Sequence, residues 1–236
     1  MQRLDKYLVQ NNHFESRNRA IDAIKRGKVF VDGKVAKPST KCDENSNIDI
    51  DSEKFYVSRA SKKLELFLEE YPMDLKDKRA LDIGSSTGGF VQILLENKVK
   101  EVTAVDVGSN QLHHSLRDNP KVQVFEEMDI RVFKTDERFD IVTCDVSFIS
   151  VLYIIEDIDR LSSRDIILLF KPQFEVGREV KRDSRGVVIN LEAIAKAKER
   201  FESRCIELGW RLCYSTPSKL AGKSGNVESI YHFRKT

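Results

Sequence analysis

Four side chains able to do chemistry stand where apolar runs of this chain stop. The run Leu81-Asp82-Ile83 falls from its acid into a glycine-rich turn, Gly84-Ser85-Ser86-Thr87-Gly88-Gly89-Phe90. Val102-Thr103-Ala104-Val105 ends at Asp106, Phe139 to Cys144 ends at Asp145, and Ile166 to Phe170 ends at Lys171. Carboxylates accept hydrogen bonds from hydroxyls and pair with cations, while a lysine amine that is desolvated or near another cation readily changes its proton affinity. Asp106 follows Asp82 by 24 residues, close to the spacing of about 20 at which an acid ending the neighbouring strand meets ribose hydroxyls. The expected ligand carries a ribose.

What the turn lacks narrows the ligand further. It has no G-x-G-x-x-G to seat a pyrophosphate and no lysine followed by a hydroxyl residue to close a P-loop. Asp82 would repel a phosphate but suits an ammonium group. S-adenosylmethionine, with an amino-acid end, a sulfonium and a ribose, matches such a turn. Asp82, Gly84, Ser86 and Gly88 are expected at its methionine end, Asp106 at its ribose, and Met128, Asp129 and Ile130 beside its adenine. Ser85, Thr87, Phe90, Val107 and Asp145 complete the expected cofactor contacts.

These residues need elements to position them, and from Tyr56 the pattern alternates. Strands are predicted at 79–83, 101–105, 121–125, 139–144, 165–170, 210–215 and 228–233, with helices near 59–70, 90–98, 109–118, 150–160 and 190–208. Strands separated by helices imply right-handed crossovers and a parallel sheet covered on both faces, an α/β Rossmann-like fold. Ligands then sit outside the carboxyl ends of the strands, where Asp82, Asp106, Asp145 and Lys171 fall. Residues 56–236 form this predicted domain.

Residues 1–55 read as a small α+β domain with its linker. Residues 1–41 hold ten Lys or Arg against four acids, net +6, which leaves −4 for the rest of a chain whose total is +2. Leu4, Tyr7, Leu8 and then Ala20, Ile21, Ile24 recur at helical spacing, with Ser16 as cap of the second helix. Lys28 to Val31, Asp32-Gly33 and Lys34-Val35 read as a strand, a tight turn and a return strand. The polar stretch Cys42 to Glu53 is expected to give an edge strand and a connector. A basic stripe on such a module suits a phosphate backbone.

Several classes are excluded or disfavoured. There is no apolar run of about 18 residues and no charged-then-apolar leader, which argues against a membrane-spanning or secreted role. Cys42, Cys144, Cys205 and Cys213 are scattered, with no C-x-x-C pair and no histidine cluster, so neither a disulfide framework nor a metal site is expected. A nicotinamide enzyme is disfavoured by the missing glycines.

Two family resemblances cover the chain. Arg3-Leu4-Asp5-Lys6-Tyr7-Leu8, Ser16-Arg17, Arg26-Gly27-Lys28-Val29, Val31-Asp32-Gly33 and Lys37-Pro38 resemble the S4-type RNA-binding domain over roughly the first 50 residues. That resemblance implies that Arg17, Arg19, Lys25, Arg26 and Lys28 face structured RNA, with Arg3, Lys6 and Arg59 as further RNA contacts. Ser58-Arg59 to Leu64, Asp82 to Phe90, Asp106 to Leu112, Asp145 to Ser150, Lys171 to Glu175 and Gly225-Asn226-Val227-Glu228 resemble the motifs of FtsJ-like RNA 2′-O-methyltransferases. With the N-terminal module, the whole is similar to the TlyA family of ribosomal RNA methyltransferases, historically labelled haemolysins.

The resemblance implies a catalytic tetrad of Lys63, Asp145, Lys171 and Glu228, with Lys62 a rival for the first place although Lys63 directly precedes the leucine. Lys171 is then the expected base toward a ribose hydroxyl, oriented by Asp145, with Lys63 favouring the developing alkoxide and Glu228 holding Lys63 or the substrate hydroxyl. Segments Gly177–Gly186 and Ser218–Gly225 are expected to be mobile loops that contact RNA. The implied target is a cytidine 2′-hydroxyl in 23S rRNA, since the chain looks like the shorter form of the family, whose longer members also modify 16S rRNA. Loss of the modification would alter sensitivity to capreomycin-class antibiotics, and the implied location is cytoplasmic. A non-catalytic RNA-binding protein and a membrane-active haemolysin are the rivals.

Overall fold

The computed structural model describes residues 1–51 and 54–235 and divides into two compact units, Met1–Phe55 and Tyr56–Thr236. In the first, strand β1 (Gln2–Arg3) leads into helix α1 (Leu4–Gln10), followed by α2 (Arg17–Lys25), β2 (Val29–Val31), β3 (Lys34–Val35), β4 (Lys41–Cys42) and β5 (Ile48–Ile50). The Ser16 hydroxyl accepts from the Arg19 amide at the start of α2, as a cap does. Leu4, Leu8, Ala20, Ile24, Val29, Val31 and Cys42 form its core. The polar stretch after Cys42 contains β5, which lies at one edge of a three-stranded sheet of order β3-β2-β5. The end of that predicted connector, Ser52 and Glu53, lies outside the described residues.

The second unit runs α3 (Arg59–Glu70), β6 (Arg79–Ile83), α4 (Gly89–Glu96), β7 (Glu101–Val105), α5 (His114–Arg117), β8 (Val122–Phe125), β9 (Phe139–Cys144), α6 (Ile155–Leu161), β10 (Ser162–Phe170), α7 (Pro172–Glu175), α8 (Leu191–Glu207), β11 (Trp210–Pro217) and β12 (Ser229–Lys235). One seven-stranded sheet has the order β11-β12-β10-β9-β6-β7-β8. Two apolar clusters cover its faces, one around Phe139, Val142, Leu168, Phe201 and Phe233, the other around Leu64, Phe90, Leu94, Ile141 and Ile167. No helix of the described residues is long and apolar enough to cross a membrane.

The structure departs from the expectation in three places. The sheet is not wholly parallel, because β12 runs antiparallel to both β10 and β11. β12 follows β11 through a loop without a helix, so it can only return, and it inserts between its two neighbours. The helix predicted at 109–118 shrinks to His114–Arg117. The Glu126 carboxylate accepts the amides of Asn110, Gln111 and Leu112 at 2.8, 2.8 and 3.1 Å, so this segment satisfies its donors without a helical turn. The segment predicted as a helix at 150–160 begins as a single 3-10 turn, Val151–Tyr153, before α6. There the Glu175 carboxylate takes the Val151 amide at 2.8 Å.

Candidate active site

Strand register brings the chemical residues together. Ile83 pairs with Val105 on one side and with Cys144 on the other, and Cys144 pairs with Leu168. Asp106 and Asp145 therefore follow directly from neighbouring strand ends, and Lys171 leaves β10 on the same edge. Two adjoining cavities open there. One, of about 570 Å³, is lined by Lys63, Asp82, Ser85, Thr87, Phe90 and Lys171, among others. The other, of about 330 Å³, is lined by Asp106, Val107, Met128, Asp129 and Ile130 together with Phe148 and Ile149. Gly84, Ser86, Asp145 and Ser147 border both, so the two form one cleft along the sheet edge.

The turn after β6 is built to leave that cleft open. The Ser86 amide, at a positive φ of 45°, donates to Asp106 Oδ2 at 2.8 Å, while the Gly108 amide donates to Oδ1 at 2.7 Å. Each carboxylate oxygen keeps a second lone pair for a hydroxyl. Gly88 lines neither cavity, contrary to the expectation. It sits at φ +92° as the residue that starts α4, with Leu112 and Leu116 packed where a Cβ would go. Its task is to turn the chain, which a glycine alone does without strain.

Two lysine–carboxylate pairs stand at the larger cavity, which Lys63, Asp145 and Lys171 line and behind which Glu228 holds Lys63. Lys171 Nζ lies 2.6 Å from Asp145 Oδ1, and Lys63 Nζ lies 2.5 Å from Glu228 Oε2. All four side chains are nearly removed from water, with relative exposures of 8% and 15% in the first pair and 9% and 3% in the second. Burial pushes the Asp145 carboxyl up, and the charges of Lys171 and Lys63 oppose that rise. Glu228 pushes it the other way, so the four groups share one field. Lys62 lies apart from them, bonded to Tyr56 and Glu65 at 3.1 and 2.8 Å. The geometry thus gathers Lys63, not its neighbour.

A family model for FtsJ-like methyltransferases matches residues 56–235, and one for the S4 domain matches residues 2–48. The chain is 48% identical to the 23S rRNA (cytidine-2′-O)-methyltransferase TlyA of Campylobacter jejuni, over 93% of this chain and 94% of that one. The chain belongs to the TlyA family. It is also 38% identical to the 16S/23S rRNA (cytidine-2′-O)-methyltransferase TlyA of Mycobacterium tuberculosis, over 98% of this chain and 89% of that one. A solved Streptococcus thermophilus structure, named a candidate hemolysin, superposes with a TM-score of 0.73 at 32% identity, covering 100% of this chain and 88% of that one.

Family membership makes this TlyA-family chain a methyltransferase with S-adenosylmethionine as its methyl donor, and the cleft fits that donor. Asp82 is 1% exposed and accepts from Thr143 Oγ1 at 2.7 Å. Burial, with the Asp145 charge adding to it, pushes its carboxyl up to about 7 against that hydrogen bond. A buried acid at the wall of a cavity is the partner an incoming ammonium group satisfies. Asp106, with spare lone pairs, suits the ribose hydroxyls, and the Met128–Ile130 wall suits the adenine.

The raised Asp82 carboxyl gives the TlyA-family chain a testable pH dependence. Its unfolded form ionises near 3.8 and its folded form near 7, so the stabilisation is complete below the first value and is lost as pH rises through the second. Between about pH 4.5 and 7.5 the melting temperature of the donor-free protein falls through this group, and Asp82→Asn removes that part of the fall. Calorimetric melts of both proteins across this range check it; parallel curves would refute the assignment.

Sequence reasoning missed three polar partners that hold this constellation. Ser147 Oγ accepts from Lys171 Nζ at 2.8 Å, Gln173 Nε2 donates to Glu228 Oε1 at 3.3 Å, and Thr143 bonds Asp82. Ser147 and Gln173 stand two residues after Asp145 and Lys171, and that spacing was the available signal. The two loops expected to be mobile are each internally bonded. Arg182 donates to four carbonyls of its own loop and its approach, those of Gln173, Gly177, Arg178 and Val180. The 3%-exposed Asn226 joins the loops by accepting from the Val188 amide and donating to the Gly186 carbonyl. Arg59 lines the larger cavity and donates to the Ala221 carbonyl at 2.8 Å.

In the first unit, the expected RNA contacts divide. Arg3 and Arg17 both grip the fully buried Asp5, at 3.0 and 2.8 Å, and hold its carboxyl down to about 2. Arg19 pairs with Glu15 and lies over the Phe55 ring, Arg26 pairs with Asp22, and Lys28 pairs with Asp51. Lys6 and Lys25 are exposed.

Proposed function

We propose that this protein transfers a methyl group to the ribose 2′-oxygen of a cytidine in 23S rRNA, as a cytoplasmic enzyme acting on the large ribosomal subunit. The observation that carries the reading is the pair of buried lysine–carboxylate contacts, Lys171–Asp145 and Lys63–Glu228, beside a cleft whose walls carry the Asp82 and Asp106 carboxylates. S-adenosylmethionine supplies an electrophilic methyl group when bound. The chain itself then has two tasks, to hold the 2′-oxygen in line with that methyl and to remove its proton. Lys171 is the base, Asp145 fixes its amine, and Lys63, held by Glu228, stabilises negative charge growing on the oxygen.

The first unit supplies the grip on RNA through Arg3, Lys6, Arg17, Arg19, Lys25, Arg26 and Lys28, with Arg59 near the cleft. Counterion release makes each such phosphate contact visible in salt dependence. Lys25→Gln and Arg19→Gln are each expected to lower the slope of log affinity against log salt for the ribosomal subunit by about 1 unit. Filter-binding titrations between low and physiological salt measure this, and an unchanged slope in both variants would remove them from the interface.

The deciding experiment incubates the protein and labelled S-adenosylmethionine with each ribosomal subunit lacking the modification, then maps methylated riboses. Label at a cytidine of 23S rRNA supports the proposal, label in 16S rRNA broadens it to the reading named for the Mycobacterium relative, and label in neither overturns it. A non-catalytic RNA-binding role would leave no reason for two lysine–carboxylate pairs to be buried at a cavity wall, since an uncompensated error there is costly.

A further inference from the structure

Among the cavities, charge clusters and exposed patches outside the tetrad, the contacts of the Lys171 amine lead furthest. That nitrogen has three directions besides its own carbon, and three oxygens lie near it: Asp145 Oδ1 at 2.6 Å, Ser147 Oγ at 2.8 Å and the Asp145 carbonyl at 3.4 Å. A lysine acting as a base has two N–H bonds and one lone pair. The two Asp145 oxygens can only accept: the carbonyl takes an N–H bond, and Oδ1 makes a close ion-pair contact without hydrogen-bond geometry, so neither can supply a proton. Ser147 is the one neighbour of the three that can donate, so the contact in which the charged amine donates to its oxygen reverses in the uncharged amine, whose lone pair then accepts the Ser147 hydroxyl proton. Lys171 is 7% exposed, whereas Ser147 is exposed and borders both halves of the cleft.

We infer that Ser147 is a further catalytic residue, which relays the ribose proton to Lys171. This rests on the reading of Lys171 as base. In the relay the Ser147 hydroxyl proton passes to Lys171 Nζ as the 2′-hydroxyl proton passes to Ser147 Oγ. The serine ends neutral and the lysine ends as an ammonium ion beside Asp145. The electron pair of the broken O2′–H bond stays on the ribose oxygen and forms its bond to the methyl group, whose former bonding pair remains on the donor sulfur. Ser147 Oγ can accept from the ribose while donating to the amine, because a hydroxyl has one proton and two lone pairs.

The test uses the full chain, the ribosomal substrate and single-turnover conditions, with Ser147→Ala, Ser147→Thr and Lys171→Met. Ser147→Ala is expected to lower the methylation rate about 10- to 100-fold, with the affinities for S-adenosylmethionine and the subunit unchanged within about twofold. Ser147→Thr, which keeps the hydroxyl at an exposed position, recovers the rate to within about threefold. Rates in mixtures of light and heavy water curve downward for the wild type, as two protons move together, and become linear in Ser147→Ala. A linear plot for the wild type, a Ser147→Ala rate within twofold of wild type, or no recovery in Ser147→Thr overturns the relay. If Lys171→Met stays active as well, the underlying reading fails; if Lys171→Met is inactive and Ser147→Ala is not, the relay alone fails.

Discussion

Lys171→Met lowers the single-turnover rate of methyl transfer by about 10³-fold, within the range contributed by a positioned proton acceptor. The replacement preserves length and the apolar stem but removes the group 2.6 Å from Asp145. Its second effect is on stability, because Asp145 then loses its ion-pair partner in a nearly water-free position, at a cost of about 3 kcal/mol. The two effects separate in a double variant. Lys171→Met with Asp145→Asn regains most of the melting temperature and none of the activity, while the S-adenosylmethionine affinity of the single variant, measured calorimetrically, stays within about threefold. Retention of a tenth of the wild-type rate would remove Lys171 from the role of base.

Gly89→Ala is expected to damage activity through packing alone, with no reacting group touched. A Cβ built at Gly89 would lie 2.3 Å from Ser58 Oγ, 2.7 Å from Ala60 Cβ and 2.8 Å from the Ser61 amide nitrogen. These atoms belong to the N-cap and first turn of α3; the Ser58 hydroxyl can rotate away, but the Ala60 Cβ and the Ser61 amide are fixed to the helix backbone. The helix must move off α4, loosening Gln92, whose side chain accepts from the Val57 amide at 2.9 Å and from Ser61 Oγ at 3.0 Å. Lys63 rides on the same helix, one turn further on. Overpacking of this kind costs about 1–3 kcal/mol, and a shift near 1 Å in a positioned group lowers the rate about 10²-fold. Urea unfolding and turnover measure the two losses. Adding Ser58→Gly and Ala60→Gly relieves two of the three contacts and recovers part of both; if the triple variant is no better than Gly89→Ala, the clash is not the cause.

The parts of this molecule that were legible in the sequence share a property: they are decided locally. Apolar runs that stop at Asp82, Asp106, Asp145 and Lys171 mark strand ends because burial and charge change sign there, whatever the strands pair with. Strand direction is different. The run ending in β12 looks like the others, and only its loop from β11 and its place between two neighbours fix it as the antiparallel member. The segment before α5 has helical spacing, yet a carboxylate from Glu126, distant in sequence, satisfies its amides instead. Glu228 bears no local mark either, and its place in the site rested on a motif resemblance. The basic stripe of the first unit was readable as charge, but not the buried Asp5 that draws Arg3 and Arg17 onto itself.

The contact between Lys63 and Glu228 spans 165 positions of the chain, and its acidic end sits beside the strand that threads between β10 and β11. The larger half of the cleft is itself lined by Ala221 and Lys223, so the cleft and the Lys63–Glu228 pair are both completed by the last stretch of the chain.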